Sequence, residues 1–292
     1  MMTRRQLLTR TTVLAGLSPF YLLNEKLENG AEKKIRISAC DWSIGMSSDI
    51  RAFDVAKQIG LDGVQVNMGS EKNNLHMRDK TLQQAYLDAS AKTGVKISSI
   101  AMGVLNGVPY KSDPRTEQWV SDSIDTAKNL GVSVILLAFF DKNDLRNDEP
   151  GKKEVIRRLK KVVQKAEKKG IILGIESYLD ADEHLDLIQR VGSPNVKAYM
   201  DFRNTADAGY DVLAEMKKLG RDNICELHMK ENDVLLGKGT LPWEKIRDLI
   251  YETGYYGDGW MQIESAIPPG GEVVESYKQN LQFLKTLFEK KI

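Results

Sequence analysis

Four times in its second half the chain runs through a short apolar stretch, stops on a side chain able to ligate a metal, and turns into an amphipathic helix. The stretches are Ile171 to Glu176 (IILGIE), Val196 to Asp201 (VKAYMD), Asn223 to His228 (NICELH) and the run that ends in Gln262, Ile263 and Glu264. Repeated strand–helix pairs build parallel strands, and in a closed barrel of eight pairs every strand end opens onto one face. Alternation sets Ile224, Glu226 and His228 on one side of their strand, and Gln262 and Glu264 on the equivalent side of the next. Singly, Asp201 or Glu264 is explained by capping the following helix, and His228 by a satisfied core position. Together, four inward polar groups leave buried charge uncompensated unless a cation joins them.

The same alternation extends upstream. Strands are expected over Ile35 to Asp41, Gly63 to Asn67, Val95 to Met102 and Val132 to Phe140, the last a continuous apolar run typical of a strand buried on both faces. Helices are expected over Asp49 to Ile59, Leu82 to Thr93, Arg115 to Leu130 and Lys152 to Lys169. In the last of these, Val155, Ile156, Leu159, Val162, Val163 and Ala166 share one face, and the basic residues form a solvated one. Further helices are expected from about Asp182 to Val191, Asp207 to Leu219, Trp243 to Glu252 and Glu272 to Phe288. Eight strand–helix pairs with no element left over make an α/β chain, a single-domain (β/α)8 TIM barrel over residues 32–292. A doubly wound sheet usually carries a Gly-rich phosphate loop after its first strand. Here that strand runs into CDWSIG.

Composition narrows the function. A net charge of +1 over 292 residues, with 41% apolar content, describes a globular chain without the concentrated basic face of a nucleic-acid binder. The segment Thr3-Arg4-Arg5-Gln6-Leu7-Leu8 has the twin-arginine arrangement, and the apolar run Thr11 to Leu23 is too short for a stable membrane span. Residues 1–31 therefore read as a twin-arginine export signal and linker, which implies a periplasmic or secreted protein. A disordered basic tail is the plain alternative, because no clean cleavage site follows. Cys40 and Cys225 fall on the first and seventh strands, which are not neighbours in such a barrel, and read as core thiols rather than a disulfide.

Six pieces in strand order, GIES with Glu176, DFRN with Asp201 and Asn204, HMKEN with His228 and Lys230, GKGTLPW, GYYGDG and QIES with Glu264, resemble the xylose isomerase-like barrels. That superfamily holds sugar (phosphate) isomerases and epimerases, including ketose 3-epimerases, hydroxypyruvate isomerase and inosose dehydratase. The resemblance covers the chain from about Ile35 onward. It implies one divalent ion on Glu176, Asp201, His228 and Glu264. Three oxygen donors and an imidazole suit Mn2+ first, with Co2+, Mg2+ or Zn2+ as alternatives. A trinuclear zinc site, as in the endonuclease branch, is not expected, since the third and fourth strands end in AMGV and AFFD without histidine.

Further expectations follow from that resemblance. Glu176 and Glu264 would be the catalytic pair, one removing and one returning a proton. Lys230, Asn204, His76 and Trp42 are candidates to contact substrate, although Lys230 also reads as a rim lysine in solvent. His184 is expected to be solvated. Asn204 stands where the ketose 3-epimerases carry histidine. The expected chemistry is proton abstraction α to a carbonyl on a non-phosphorylated keto-sugar or keto-polyol. The alternative is a lyase or dehydratase expelling a β leaving group from a keto-glycoside or inosose. A non-catalytic secreted sugar-binding protein is the third reading. The expected partner is a small-molecule carbohydrate, with a homodimer in keeping with the family and no nucleic acid.

Overall fold

The structure is a computed structural model that describes residues 35–255 and 259–289. The twin-arginine segment and its linker lie outside the described residues. Eight parallel strands close in sequence order, with β8 pairing back to β1. The strands are β1 (Arg36–Cys40), β2 (Gly63–Asn67), β3 (Lys96–Met102), β4 (Val134–Phe139), β5 (Ile172–Ser177), β6 (Val196–Asp201), β7 (Ile224–Lys230) and β8 (Trp260–Glu264). The α-helices are α1 (Ala52–Ile59), α2 (Lys80–Thr93), α3 (Arg115–Leu130), α4 (Glu149–Lys169), α5 (Ala181–Val191), α6 (Phe202–Asp207), α7 (Val212–Leu219), α8 (Trp243–Glu252) and α9 (Val273–Glu289). No described helix is long and apolar enough to cross a membrane.

Outward-facing strand residues such as Ile37, Val64, Ile135, Leu173, Leu227 and Ile263 join the helices in one continuous core. A second, smaller apolar cluster, with Ala101, Leu136, Ala138 and Tyr199, is separate from it. Below the mouth much of the remaining barrel interior is polar, with Ser38, Gln65, Ser99, Glu226 and Gln262 all buried. Removing these groups from water is costly unless each finds a partner; Ser38 Oγ donates to Gln262 Oε1, and the hydrogen bonds described below supply the others.

Two register shifts shape this interior. On β7, Ala198 pairs with Ile224 but Tyr199 pairs with Glu226, which leaves Cys225 as an extra residue. Ile224 therefore packs in the outer core and Cys225 in the inner cluster. This corrects the simple alternation that placed Ile224 beside Glu226, because a bulge puts two residues opposite one and resets the faces. On β3 the shift falls between the partners of Val64 and Val66, around Ser98 and Ser99, and both serines bond to residues of the interior. Gly174 on β5 makes room for this packing. A Cβ there would lie 2.7 Å from Cys225 Sγ and 3.1 Å from the Tyr199 ring.

Several helix starts differ from the sequence expectation, α1 beginning at Ala52 rather than Asp49 and α2 at Lys80 rather than Leu82, and two further differences have a visible cause. The single helix from Asp207 to Leu219 is instead α6 followed by α7. Asp201 accepts from Asn204 N and starts a helix at Phe202, while Asp211 accepts from Leu213 N and Ala214 N and starts another. Between them Gly209 takes φ +91°, a left-handed conformation that glycine adopts without steric cost. Helix α4 begins at Glu149 rather than Lys152, capped by Asp148 with Pro150 in its first turn, where a missing N–H costs nothing. Cys40 and Cys225 are free, buried thiols.

Candidate metal centre

Glu176 closes β5 next to its last residue, Asp201 and Glu264 end β6 and β8, and His228 lies two residues before the end of β7. All four are buried, and each offers one donor atom within 4.8 Å of the others. His228 Nδ1 lies 2.9 Å from Glu176 Oε1, 3.5 Å from Glu264 Oε2 and 3.6 Å from Asp201 Oδ2. Asp201 divides its two oxygens between tasks. Oδ1 accepts from Asn204 N at 2.8 Å, whereas Oδ2 is buried without a hydrogen-bond partner. An orphaned carboxylate oxygen aimed at an imidazole nitrogen and two further carboxylates fits a divalent cation of intermediate hardness. The group could hold a metal ion, and its chemistry does not select among Mn2+, Co2+, Mg2+ and Zn2+.

Lys230 and Asn204 flank the four. Lys230 Nζ lies 3.0 Å from Glu264 Oε2 and 3.6 Å from Asp201 Oδ2, and it donates to Asn204 Oδ1 at 3.1 Å. The Asn204 amide in turn donates to Glu176 Oε1 at 3.3 Å. Lys230 is thus drawn into the cluster rather than left as a solvated rim lysine. Trp42, in the loop after β1, lines the same cavity and donates through Nε1 to Glu264 Oε1 at 2.8 Å.

The electrostatics separate the two glutamates. Burial raises Glu176, although His228 pulls the other way. Burial would also raise Glu264, but His228, Lys230 and the Trp42 N–H outweigh it and hold the carboxyl down at about 2. Burial works against charge on the His228 ring, yet the carboxylates of Glu176 and Glu264 keep it raised well above the usual range. Beneath the ring, burial pushes the Cys40 thiol up to about 12, which leaves it protonated.

The cavity above the four has a volume of about 350 Å³. Trp42, Phe140 and Tyr178 are its aromatic walls, the last two edge-on with centroids 4.8 Å apart. Lys230 is the only lysine or arginine lining it among the described residues. Asn67 and Asn106 line the cavity as well, and sequence reasoning did not single them out. Their side-chain oxygens accept from Gly69 N at 2.9 Å and Phe140 N at 3.1 Å. Each NH2 group is thereby left without an acceptor among the described residues. The available signal was their place, at the end of β2 and just after β3, on the face where barrel chemistry is done.

Two histidines are not where the sequence suggested. His76 is not brought to this cavity. It sits in a short turn whose ring packs edge-on against Tyr86, and it lines a separate groove of about 930 Å³ with residues of α2 and α3. The turn is folded back by Leu75 N bonding to Ser70 O and Met77 N to Met68 O. His184 is buried rather than solvated, with Nε2 3.1 Å from Ser177 Oγ and Nδ1 3.0 Å from Asp180 O.

Comparison with known proteins agrees with this architecture. Residues 53–287 match the family model described as xylose isomerase-like TIM barrel. The chain is similar to 2-epi-5-epi-valiolone 7-phosphate 2-epimerase of Actinoplanes sp., 27% identical over 67% of this chain and 72% of that one. It is similar also to a putative L-ribulose-5-phosphate 3-epimerase of Escherichia coli, 25% identical over 76% of this chain and 86% of the other. Among solved structures, D-psicose 3-epimerase from Clostridium cellulolyticum superposes with a TM-score of 0.74 at 16% identity, covering 87% of this chain and 99% of that chain. The E. coli 3-keto-D-glucoside 4-epimerase does so with 0.69 at 16%, covering 87% and 100%. The curated relatives are sugar epimerases, and the structural likenesses at these identities speak for the fold. With most of the barrel inside the matched span, the chain belongs to the xylose isomerase-like TIM barrel family.

Proposed function

We propose that this protein is a divalent-metal-dependent sugar epimerase or isomerase that moves a proton α to a carbonyl of a non-phosphorylated keto-sugar or keto-polyol. The observation that carries the reading is the convergence of Glu176, Asp201, His228 and Glu264 at one end of the barrel, beneath a cavity of about 350 Å³. The sugar epimerases among its relatives support the same reaction class.

When bound by these four side chains, a divalent cation supplies positive charge against the negative charge that develops on the substrate oxygens as the α-proton leaves. The protein's own groups do the rest. Glu264, held as a carboxylate by Lys230 and the Trp42 N–H, takes the proton. Glu176, three strands away around the barrel, returns one from the other side, and the carbon is inverted. Lys230 donates to a substrate oxygen, Asn204 sets the orientation of Lys230 and Glu176, and Trp42 both fixes Glu264 and walls the site. Aromatic walls suit the apolar faces of a sugar ring or chain. Lys230, already engaged with Glu264 and Asn204, leaves no spare cation for a phosphate group. Export to the periplasm, where sugar phosphates are scarce, would favour the same substrate class.

The test is to incubate the manganese-loaded protein with a panel of free keto-sugars in deuterated water. Deuterium in recovered substrate and its epimer is the expected result. An unsaturated product instead would mark a lyase, and no labelling of any ketose would contradict the proposal.

A further inference from the structure

Below the four candidate ligands lies a buried chain of hydrogen bonds whose direction is dictated from its far end. Glu226 Oε2 accepts from Ser99 Oγ at 2.8 Å, Tyr199 OH at 2.9 Å and Gln262 Nε2 at 2.9 Å. Each hydroxyl has one proton and has given it to Glu226, so each can only accept from its other neighbours. Ser99 Oγ accepts from Gln262 Nε2 at 2.9 Å, and Gln65 Nε2 reaches both Ser99 Oγ and Tyr199 OH at 3.0 Å. With its NH2 committed there, Gln65 must turn Oε1 the other way. Oε1 lies 3.3 Å from His228 Nε2. An amide oxygen only accepts, so Nε2 carries a proton; a cation bound by Glu176, Asp201 and Glu264 then displaces the other proton, from Nδ1, and meets its lone pair.

We propose that Glu226 and Gln65 are positioning residues that fix the tautomer and ring orientation of His228 through this relay, so that Nδ1 is presented to the cation. The inference rests on the metal-dependent reading above. A ring nitrogen that donates to a fixed acceptor makes its partner nitrogen the better ligand, and losing such an outer partner typically costs about 10- to 100-fold in metal affinity. Every member of the relay is buried, so no water competes to reverse it. Flipping the Gln65 amide would set its NH2 against His228 and its oxygen against two hydroxyls that have no proton left to give.

The test compares wild type with Gln65→Met, which keeps the length of the side chain but has no acceptor, and with Glu226→Gln, which can send a donor where only an acceptor stood. Mn2+ affinity is read by electron paramagnetic resonance titration. The His228 tautomer is read in the Zn2+-loaded protein from histidine 15N shifts, simplified by there being only three histidines. Both variants are expected to bind Mn2+ about 10- to 100-fold more weakly and to lose the hydrogen-bonded shift of the Nε2–H, or the Nε2–H itself where the ring turns over. Tyr199→Phe, which spares the parallel step through Ser99, is expected to lose less than Gln65→Met. If Glu226→Gln does not fold, Gln65→Met carries the test. Affinities within about twofold of wild type and an unchanged Nε2–H signal would overturn the positioning role, since packing alone leaves both intact. A wild-type protein that binds neither Mn2+ nor Zn2+ would overturn the proposed function and this inference with it.

Discussion

Lys230 Nζ stands 3.0 Å from Glu264 Oε2 and 3.6 Å from Asp201 Oδ2, so a fixed cation already sits among the carboxylates that would share a metal. The two positive charges compete for the same oxygens while serving different ends. Lys230→Met is expected to raise Mn2+ affinity several-fold and to lower ketose exchange by about 100-fold, the loss typical of one transition-state donor. Titration of Mn2+ beside deuterium wash-in measures both. A lysine that merely filled space would leave exchange near wild type.

Trp42 ties the loop after β1 to Glu264 through one N–H. Trp42→Phe keeps an aromatic wall and removes that donor. The expected outcome is about a tenfold loss of kcat, equivalent to one hydrogen bond of about 1.4 kcal/mol, with thermal stability little changed. Steady-state kinetics against a melting curve separates this from unfolding.

Asn67 and Asn106 present NH2 groups to the cavity because backbone N–H groups occupy their oxygens. Each of Asn67→Asp and Asn106→Asp preserves the backbone bond and replaces two donors by an acceptor. KM for any ketose that exchanges is expected to rise about tenfold or more, with Mn2+ affinity unchanged. An unaltered KM would show that the substrate does not reach these amides.

Asp41 gives a pH signature away from the metal ligands. Burial raises its carboxyl to about 7, despite N–H donors from Asn67 and Ser48. The folded state therefore keeps a proton that the unfolded chain releases near its ordinary value of about 4. Stability from this group is full below about pH 4, falls as pH rises to about 7, and is constant above. The loss is on the order of 4 kcal/mol. Asp41→Asn is expected to flatten that part of the wild-type slope in denaturant melts taken between pH 5 and 8.

The barrel was legible because burial on both faces writes parallel strands as apolar runs, and because a ligating residue interrupts each run at its end. Glu176, Asp201, His228 and Glu264 are visible in that way, and the structure gathers them. What was not legible depends on partners distant in sequence. Asp201 works with both oxygens, as a helix cap and as an open donor, so the helix starting at Phe202 was hidden behind its reading as a ligand. His184 is buried by a serine and a carbonyl that no periodicity announces. Trp42 reads as a substrate contact until its N–H is seen to meet Glu264. Gln65, a polar residue inside the run GVQVN, was a signal for the relay beneath His228, but only the closed barrel shows what it faces.

The most direct measurement is the stoichiometry of Mn2+ bound to the purified protein by calorimetric titration, with Asp201→Asn and Glu264→Gln alongside. Asp201→Asn keeps the oxygen that caps α6 and so spares the fold. One ion per wild-type chain, with binding weakened by at least about 100-fold in each variant, is the result expected of four side chains sharing one cation. A wild type that takes up no metal, or variants that hold it as tightly, would contradict the account.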